Sequence, residues 1–381
     1  MSNRPRELFE GCVTTGEARI HKSLSRQLMD VIDAAPIFCE DSVAISEHGR
    51  RSSGCMTTLF DIDVEAQARA LLEFDRAPVS LGLYPLVRTQ HDRIILTGMG
   101  GSHFAALPSW RRLVSRGRAA WWIDAGRLLE SPELVTPDSL LVVTSRSGMS
   151  GEAVALVEKF HGASRPAAIV AITDDLNSPL ALAADCEVLL RSQSSGSAKG
   201  FLNALAAHDY LASMILSEDN DDVASTARIV ASVRNLNGLG NVARDVAANP
   251  QMRMAYIGFR EHAATSLYAG LLTKEVTGMG ISTEGHIGGQ FCHGPLQRAD
   301  ENLTAIVFGG RDPIANAASG WVAANLVAAG STVIVVGDTG VAGAIDIRSP
   351  AVHVSGQVAH GVVVAEHFVS ALAAQASSGA R

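Results

Sequence analysis

The chain has 381 residues, 47% hydrophobic and 18% charged, with a formal net charge of −8. This composition can bury sizeable cores, excludes a disordered chain, and suits two domains of usual size. The acidic balance excludes a broad nucleic-acid footprint and leaves room for a local basic pocket. The five cysteines, Cys12, Cys39, Cys55, Cys186 and Cys292, are widely spaced and form no CxxC. They read as reduced thiols, not as a disulfide framework or a zinc knuckle. The opening MSNRPRELFE lacks the apolar core of a signal peptide, and no apolar run reaches membrane-spanning length. The expectation is a soluble, cytoplasmic protein with no membrane or nucleic-acid partner.

Residues 1–55 read as an N-terminal extension, a surface arm with helical patterning at Arg19–Ala34. Met56–Phe74 predicts a helix with Leu59, Ile62, Ala66, Ala70 and Leu71 near one face. Strand patterns follow at Arg93–Leu96, Ala119–Asp124, Leu140–Thr144, Ala168–Thr173 and Cys186–Leu190, and a long helix at Lys199–Leu216. Strands spaced by helices imply a parallel sheet covered on both faces. Asp219–Asn249 reads as a polar, helical connector. The pattern then restarts, with strands at Met254–Gly258, Thr304–Phe308, Thr332–Val336 and Val352–Val354. Helices are predicted at His262–Thr277, Ile314–Ala329 and Val362–Gln375. The halves, 56–235 and 236–381, repeat one architecture.

The stretch Leu141–Glu152 (LVVTSRSGMSGE) ends an apolar strand in small hydroxylated residues and opens a helix. Free backbone amides at such a turn, the helix dipole and serine hydroxyls suit a phosphate or another small anion. An ordinary serine-capped loop is the alternative for this stretch taken alone. Thr97–His103 (TGMGGSH) lies in an equivalent place. Its third fingerprint position is His103 where a dinucleotide site needs glycine, so NAD binding is disfavoured. A P-loop and a G-x-S-x-G elbow are absent. Ser194–Lys199 (SSGSAK) supplies a third hydroxyl- and glycine-rich loop. Three such loops on one sheet edge describe a grip built of neutral donors.

The segments GMGGS, SRSGMS and SGSAKGF resemble the three ligand loops of the SIS (sugar isomerase) fold. Leu271–Val276 (LLTKEV) and Glu284–Leu296 (EGHIGGQFCHGPL) resemble the isomerase half of glucosamine-6-phosphate synthase and related tandem-SIS proteins. The resemblance covers residues 56–375. It implies an α/β fold of two tandem SIS domains, each a parallel sheet flanked by helices in flavodoxin-like αβα layers. It also implies a homodimer whose active sites draw on both subunits. By the same resemblance, Gly100, Gly101, Ser102, Ser145, Ser147, Ser150 and Ser197 hold the sugar phosphate. Glu275 shuttles a proton between C1 and C2, His293 opens the sugar ring, and Glu284 lies near the site. Aldose–ketose interconversion, or amino-sugar-phosphate deamination or deglycation, then needs no metal or redox cofactor. Taken alone, His293 could be a structural loop residue and Lys274–Glu275 a surface pair.

The sequence departs from its relatives at several places. Leu272 stands at a lysine position, Gln290 and Met149 at glutamates, and Arg146 at a glutamine, while the final QASSGAR lacks the synthase's lysine-bearing tail. With no glutaminase segment, glutamine-dependent amination is not expected. Arg146 among phosphate-gripping serines could take a second anionic group, or it could be a surface residue paired with Glu152. These departures also motivate a second reading, a non-catalytic sugar-phosphate sensor.

Overall fold

Aliphatic, β-branched runs such as Leu140–Val143 and Ala305–Phe308 are fully buried. Such runs form strands covered on both faces, which is the environment of a parallel sheet. A computed structural model describes residues 58–75, 83–160, 162–193, 198–219, 222–233, 236, 238–278 and 280–379. The predicted arm at 1–55, Cys12, Cys39 and Cys55 within it, and Ser194–Ser197 lie outside the described residues.

The first half contains α1 (Leu59–Asp75), α2 (Leu83–Arg88), β1 (Arg93–Gly98), α3 (Gly100–Ala105), α4 (Leu107–Ser115), β2 (Ala120–Trp122) and α5 (Ala125–Glu130). It continues through β3 (Ser139–Thr144), α6 (Gly151–Glu158), β4 (Ala168–Thr173), α7 (Pro179–Ala183), β5 (Cys186–Leu189) and α8 (Ala198–Leu216). Helices α9 (Val223–Ser232) and α10 (Leu239–Ala248) lead to the second half. There β6 (Arg253–Gly258), α11 (Ala263–Thr277), β7 (Ser282–Ile287), α12 (Gly288–Cys292) and β8 (Leu303–Gly310) are followed by α13 (Pro313–Ala328), β9 (Thr332–Gly337), β10 (Ile345–Arg348) and α14 (Val354–Gly379).

Each half forms a parallel five-stranded sheet, ordered β2-β1-β3-β4-β5 and β10-β9-β8-β6-β7. Numbered within their own halves, both orders are 2-1-3-4-5, so the duplicated architecture is real at the level of topology. All described residues belong to one compact unit. One continuous core joins the inner faces of both sheets through α1, α8, α11 and α14. Two smaller cores cover the outer faces, one under α5, α6 and α7 and the other under α12 and α13. The result is a five-layer stack: helices, sheet, helices, sheet, helices.

Several elements differ from the sequence reading. The buried face of α1 is Phe60, Asp63, Val64, Gln67, Ala70, Leu71 and Phe74, while Leu59 and Ile62 are exposed. The predicted polar connector is two core helices, burying Ile229 and Val230 from α9 and Leu239, Val242 and Val246 from α10. The strand β7, with sequence STEGHI, was not expected, because an edge strand half open to solvent lacks an apolar run. Val352–Val354 is not a strand; Val354 opens α14. The segment Val354–Gln375 is long and apolar enough to cross a membrane, but 72% of its most apolar window is buried inside the protein, where it packs as a core helix.

Asp63 and Gln67 face the core because α14 brings a carboxyl group to them. Gln67 Nε2 donates to Glu366 Oε2 at 2.7 Å, and Tyr268 Oη donates to Glu366 Oε1 at 3.0 Å. Burial pushes the Glu366 pKa up to about 8, Gln67 and Tyr268 counteract that, and Asp63 adds to it. Burial likewise drives His103, His262 and His360 down to about 4 and His208 to about 3.

These shifts give stability a maximum. Below pH 6.5 the unfolded chain takes up protons that the four buried histidines refuse, so stability falls as pH drops towards 4. Each histidine then contributes a loss of about 2 kcal/mol by pH 5. Above pH 4.5 the native chain retains the Glu366 proton that the unfolded chain has released. That contribution therefore falls as pH rises towards 8, by about 2 kcal/mol between pH 6.5 and 8. Thermal unfolding from pH 5 to 8.5 should show both limbs. Glu366→Gln should flatten the alkaline limb and leave the acid limb in place.

Candidate functional site

In a 2-1-3-4-5 sheet the strand order reverses between the first and third strands, and a crevice opens there at the carboxyl edge. Helix α3 leaves β1 into the central layer and α6 leaves β3 into the outer layer. The glycine turn and the serine turn therefore line the two sides of one crevice. The strands beneath them pair in register, Gly98 beside Thr144. A Cβ at Gly98 would lie 2.7 Å from the Thr144 carbonyl oxygen, so the close approach of β1 and β3 requires glycine.

The serine turn is held from within. The Ser145 amide donates to the Ile172 carbonyl (3.0 Å), and the Gly148 amide to the Ser145 carbonyl (3.0 Å). Ser145 Oγ and Ser150 Oγ are hydrogen-bonded at 2.9 Å. From the next strand, the Asp174 amide (2.8 Å) and Thr173 Oγ1 (3.1 Å) donate to the Arg146 carbonyl. Gly148 takes φ +68°, and a Cβ there would overlap Ser178 Oγ, so both conformation and space require glycine. Ser150 is the N-cap residue of α6 yet makes no capping bond to the first turn, because its hydroxyl is engaged with Ser145. The first turn of α3 also has no side-chain cap. Both sides of the crevice thus present helix starts that their N-cap side chains leave uncapped among the described residues. Ser145 is buried, Ser102, Arg146 and Ser150 are half-buried, and Ser147 is exposed.

Two histidines lie beneath the crevice. Thr144 Oγ1 is hydrogen-bonded to His208 Nε2 at 2.9 Å. The His103 ring stacks on Trp122 with centroids 4.2 Å apart, and Trp122 Nε1 donates to the His103 carbonyl (2.8 Å). His103 thus fills the helix–strand contact that a dinucleotide fingerprint keeps open with glycine.

The helix that bears Glu275 packs in the central layer against the glycine turn. A Cβ at Gly100 would lie 3.3 Å from Leu271 Cδ2, and one at Gly101 would lie 3.6 Å from Phe201 and 3.7 Å from Tyr268. The rings of Phe201 and Tyr268 stack at 3.8 Å. Glu275 is exposed, one turn beyond Leu271 and two beyond Tyr268. Burial, first of all, raises the Tyr268 pKa well above normal; Glu366 adds to that, and so does the Glu275 charge.

Glu284 and His293 are placed elsewhere. In β7 a Cβ at Gly285 would overlap the Ser266 carbonyl of α11, so the alternating positions Glu284 and His286 face the opposite side of the sheet. There His286 Nε2 lies 3.6 Å from Glu284 Oε2, and its ring meets Phe291 edge-on at 5.2 Å. His293 follows α12 on that outer face and is exposed. Glu275 lies near the amino end of β7 and His293 beyond its carboxyl end. A strand of that length spans about 20 Å. Within one chain the helix that bears Glu275 packs on the glycine turn, while Glu284 and His293 lie towards the outer face of the second sheet. The sequence motifs gave no sign of Tyr268, Phe201, His208 or Glu366, which support the crevice from below.

The equivalent crevice of the second half is filled. Arg260 Nε lies 3.7 Å from Asp312 and 3.6 Å from Glu261, and Arg311 Nη1 lies 3.6 Å from Asp338. The buried His262 ring occupies the space beside Gly310. Among the described residues, the switch-point crevice with hydroxyls on its rim is that of the first half.

Two layered α/β halves of like topology, one with uncapped helix starts and serines at its switch point, define the class of fold. Residues 88–214 match the family model for the SIS domain, and the second half repeats the same sheet topology. A search among curated proteins finds no match. Among solved structures the fold is similar to the C-terminal domain of glucosamine-fructose-6-phosphate aminotransferase from Francisella tularensis. That similarity has a TM-score of 0.70 at 15% identity, over 84% of this chain and 96% of the other. Tagatose-6-phosphate ketose/aldose isomerase from Escherichia coli gives a TM-score of 0.69 at 22% identity over 85% and 93%. Glucosamine-6-phosphate deaminase from Thermotoga maritima gives 0.59 at 17% over 84% and 95%.

Replacing Gly148 by alanine should destabilise the protein by about 2–4 kcal/mol, from the left-handed conformation and the overlap with Ser178 together. It should also remove any thermal stabilisation by added phosphate. Differential scanning calorimetry with and without phosphate measures both effects.

Proposed function

We propose that the chain binds a phosphorylated sugar at the crevice of residues 56–235 and catalyses aldose–ketose isomerisation or amino-sugar-phosphate deamination or deglycation. The observation that carries this reading is the packing of the Glu275 helix against the glycine turn. It brings the helix that bears the Glu275 carboxylate to the edge where the anion grip is proposed. The phosphate is held by Gly100, Gly101, Ser102, Ser145, Arg146, Ser147 and Ser150, and by Ser197 of the third loop. Glu275 moves the proton between neighbouring carbons, and an imidazole, which exchanges protons near neutral pH, opens the ring.

His293 and Glu284 of the same chain lie across the second sheet from Glu275, so in this reading they serve the site of a second copy. The working unit is a cytoplasmic homodimer, with residues 236–381 of each copy contributing to both sites. The same separation favours one other reading, a sensor that binds the sugar phosphate without turning it over. Deuterium from solvent entering C1 or C2 of a bound sugar phosphate supports the enzyme; binding without exchange or product supports the sensor.

Glu275→Gln should abolish turnover while sugar phosphate still raises the melting temperature. Mixing Glu275→Gln with His293→Ala, each inactive alone, should restore about one quarter of wild-type activity. Half of randomly paired dimers are hybrids, and each hybrid has one intact site. An active wild type with no restoration in the mixture would remove His293 from the partner's site.

A further inference from the structure

Arg146 occupies a place that neither a surface arginine nor an ordinary loop residue would have. Its carbonyl is clamped by Asp174 and Thr173, so the residue's backbone is fixed at the centre of the serine turn. Its side chain is half-buried and runs onto the first turn of α8. There it lies against Gly200: a Cβ at that position would be 2.6 Å from Arg146 Cδ, 3.4 Å from Cγ and 3.7 Å from Nε. The next residue, Phe201, is the one that packs against Gly101 of the glycine turn. The side chain of Arg146 therefore bridges the serine turn and the start of α8. Gly200 is the third residue of a 19-residue helix, where glycine is a poorer helix former than alanine. No left-handed φ accounts for glycine at this position. Among the described residues, the atoms nearest to such a Cβ all belong to the stem of Arg146.

We propose that Gly200 is a positioning residue for Arg146, and that Arg146 makes this site selective for a dianionic phosphate ester over a monoanionic one. The inference rests on the sugar-phosphate reading above. Hydroxyls and backbone amides donate to any tetrahedral oxyanion, and they discriminate poorly between charge states. A fixed guanidinium does discriminate, because its attraction scales with the charge of the ester and is little hydrated in a crevice. The grip then consists of neutral donors for shape and one cation for charge, held in place by a notch in a neighbouring helix.

The test measures calorimetric affinity for fructose 6-phosphate and for fructose 6-sulfate, its monoanionic counterpart, at pH 7.5 and low ionic strength. The wild type should prefer the phosphate by at least tenfold. Arg146→Met keeps an apolar stem and removes the charge. It should lose about 10- to 100-fold in phosphate affinity and reduce the preference to within about threefold, while Arg146→Lys keeps most of the preference. Gly200→Ala should weaken phosphate binding in the same way without lowering the melting temperature. The double variant Arg146→Met, Gly200→Ala should bind no more weakly than Arg146→Met alone, since the notch acts only through the arginine. Preserved discrimination in Arg146→Met, or wild-type binding by Gly200→Ala, overturns the inference while leaving the sugar-phosphate reading intact. A wild type that binds no fructose 6-phosphate overturns both.

Discussion

The geometry of this protein depends on how closely its two halves meet at Gly100 and Gly101. Neither residue carries a Cβ, so the start of α3 settles directly onto Leu271 and Tyr268 of α11. Tyr268 is fixed from the other side by Glu366, which Gln67 also holds, so three helices from distant parts of the chain meet at one buried carboxyl group. A Cβ at Gly100 would press on Leu271 at 3.3 Å from a backbone with φ +50°, whereas one at Gly101 would meet Phe201 and Tyr268 at ordinary contact distance. The contact is an interdomain packing constraint first. Its consequence for the proposed site is that the helix bearing Glu275 is held against the glycine turn.

The duplication gives the chain two crevices of the same design, and the two have diverged by electrostatics. In the second half the crevice is occupied by its own charges, Arg260 with Glu261 and Asp312, and Arg311 with Asp338. A ligand anion would have to displace those carboxylates. In the first half the corresponding turn is made of serines that bond to one another and leave two helix starts uncapped. One half therefore keeps the binding edge. The other presents side chains from its helices and from its edge strand, which is why its polar strand β7 carries Glu284 and His286 on an open face.

Sequence reasoning reached the sheets and the crevice because both are written in local patterns. The runs LLVVT and AIVAIT are strands for their aliphatic content, and a strand followed by glycine or serine and then a helix places a turn at the carboxyl edge. It failed where a residue's environment comes from elsewhere in the chain. Periodicity put Leu59 and Ile62 inside and left Asp63 and Gln67 outside, since nothing local announces that Glu366 will arrive from 299 residues away to bond Gln67. The segment 219–249 looked like a connector because its polar residues outnumber its buried stripe. The motif containing Glu284 and His293 was legible as a motif, but its distance from Glu275 was not. That separation is set by which face of the second sheet each element covers.

The neutral histidines under the crevice bear on what the grip can supply. His208 and His103 stand closest beneath it, yet burial holds both uncharged at neutral pH. Protonating either would place a charge in the core, so neither contributes a cation to a ligand, although imidazole is often read as a phosphate ligand. The two rings act as spacers: His208 fixes the last strand residue before Ser145, and His103 props α3 against Trp122. Among the described side chains, the cation on the serine turn is Arg146. In a chain of net charge −8, the general field does not draw an anion to this crevice. Attraction has to be local, and the turn that contains Arg146 is where the first half has kept it.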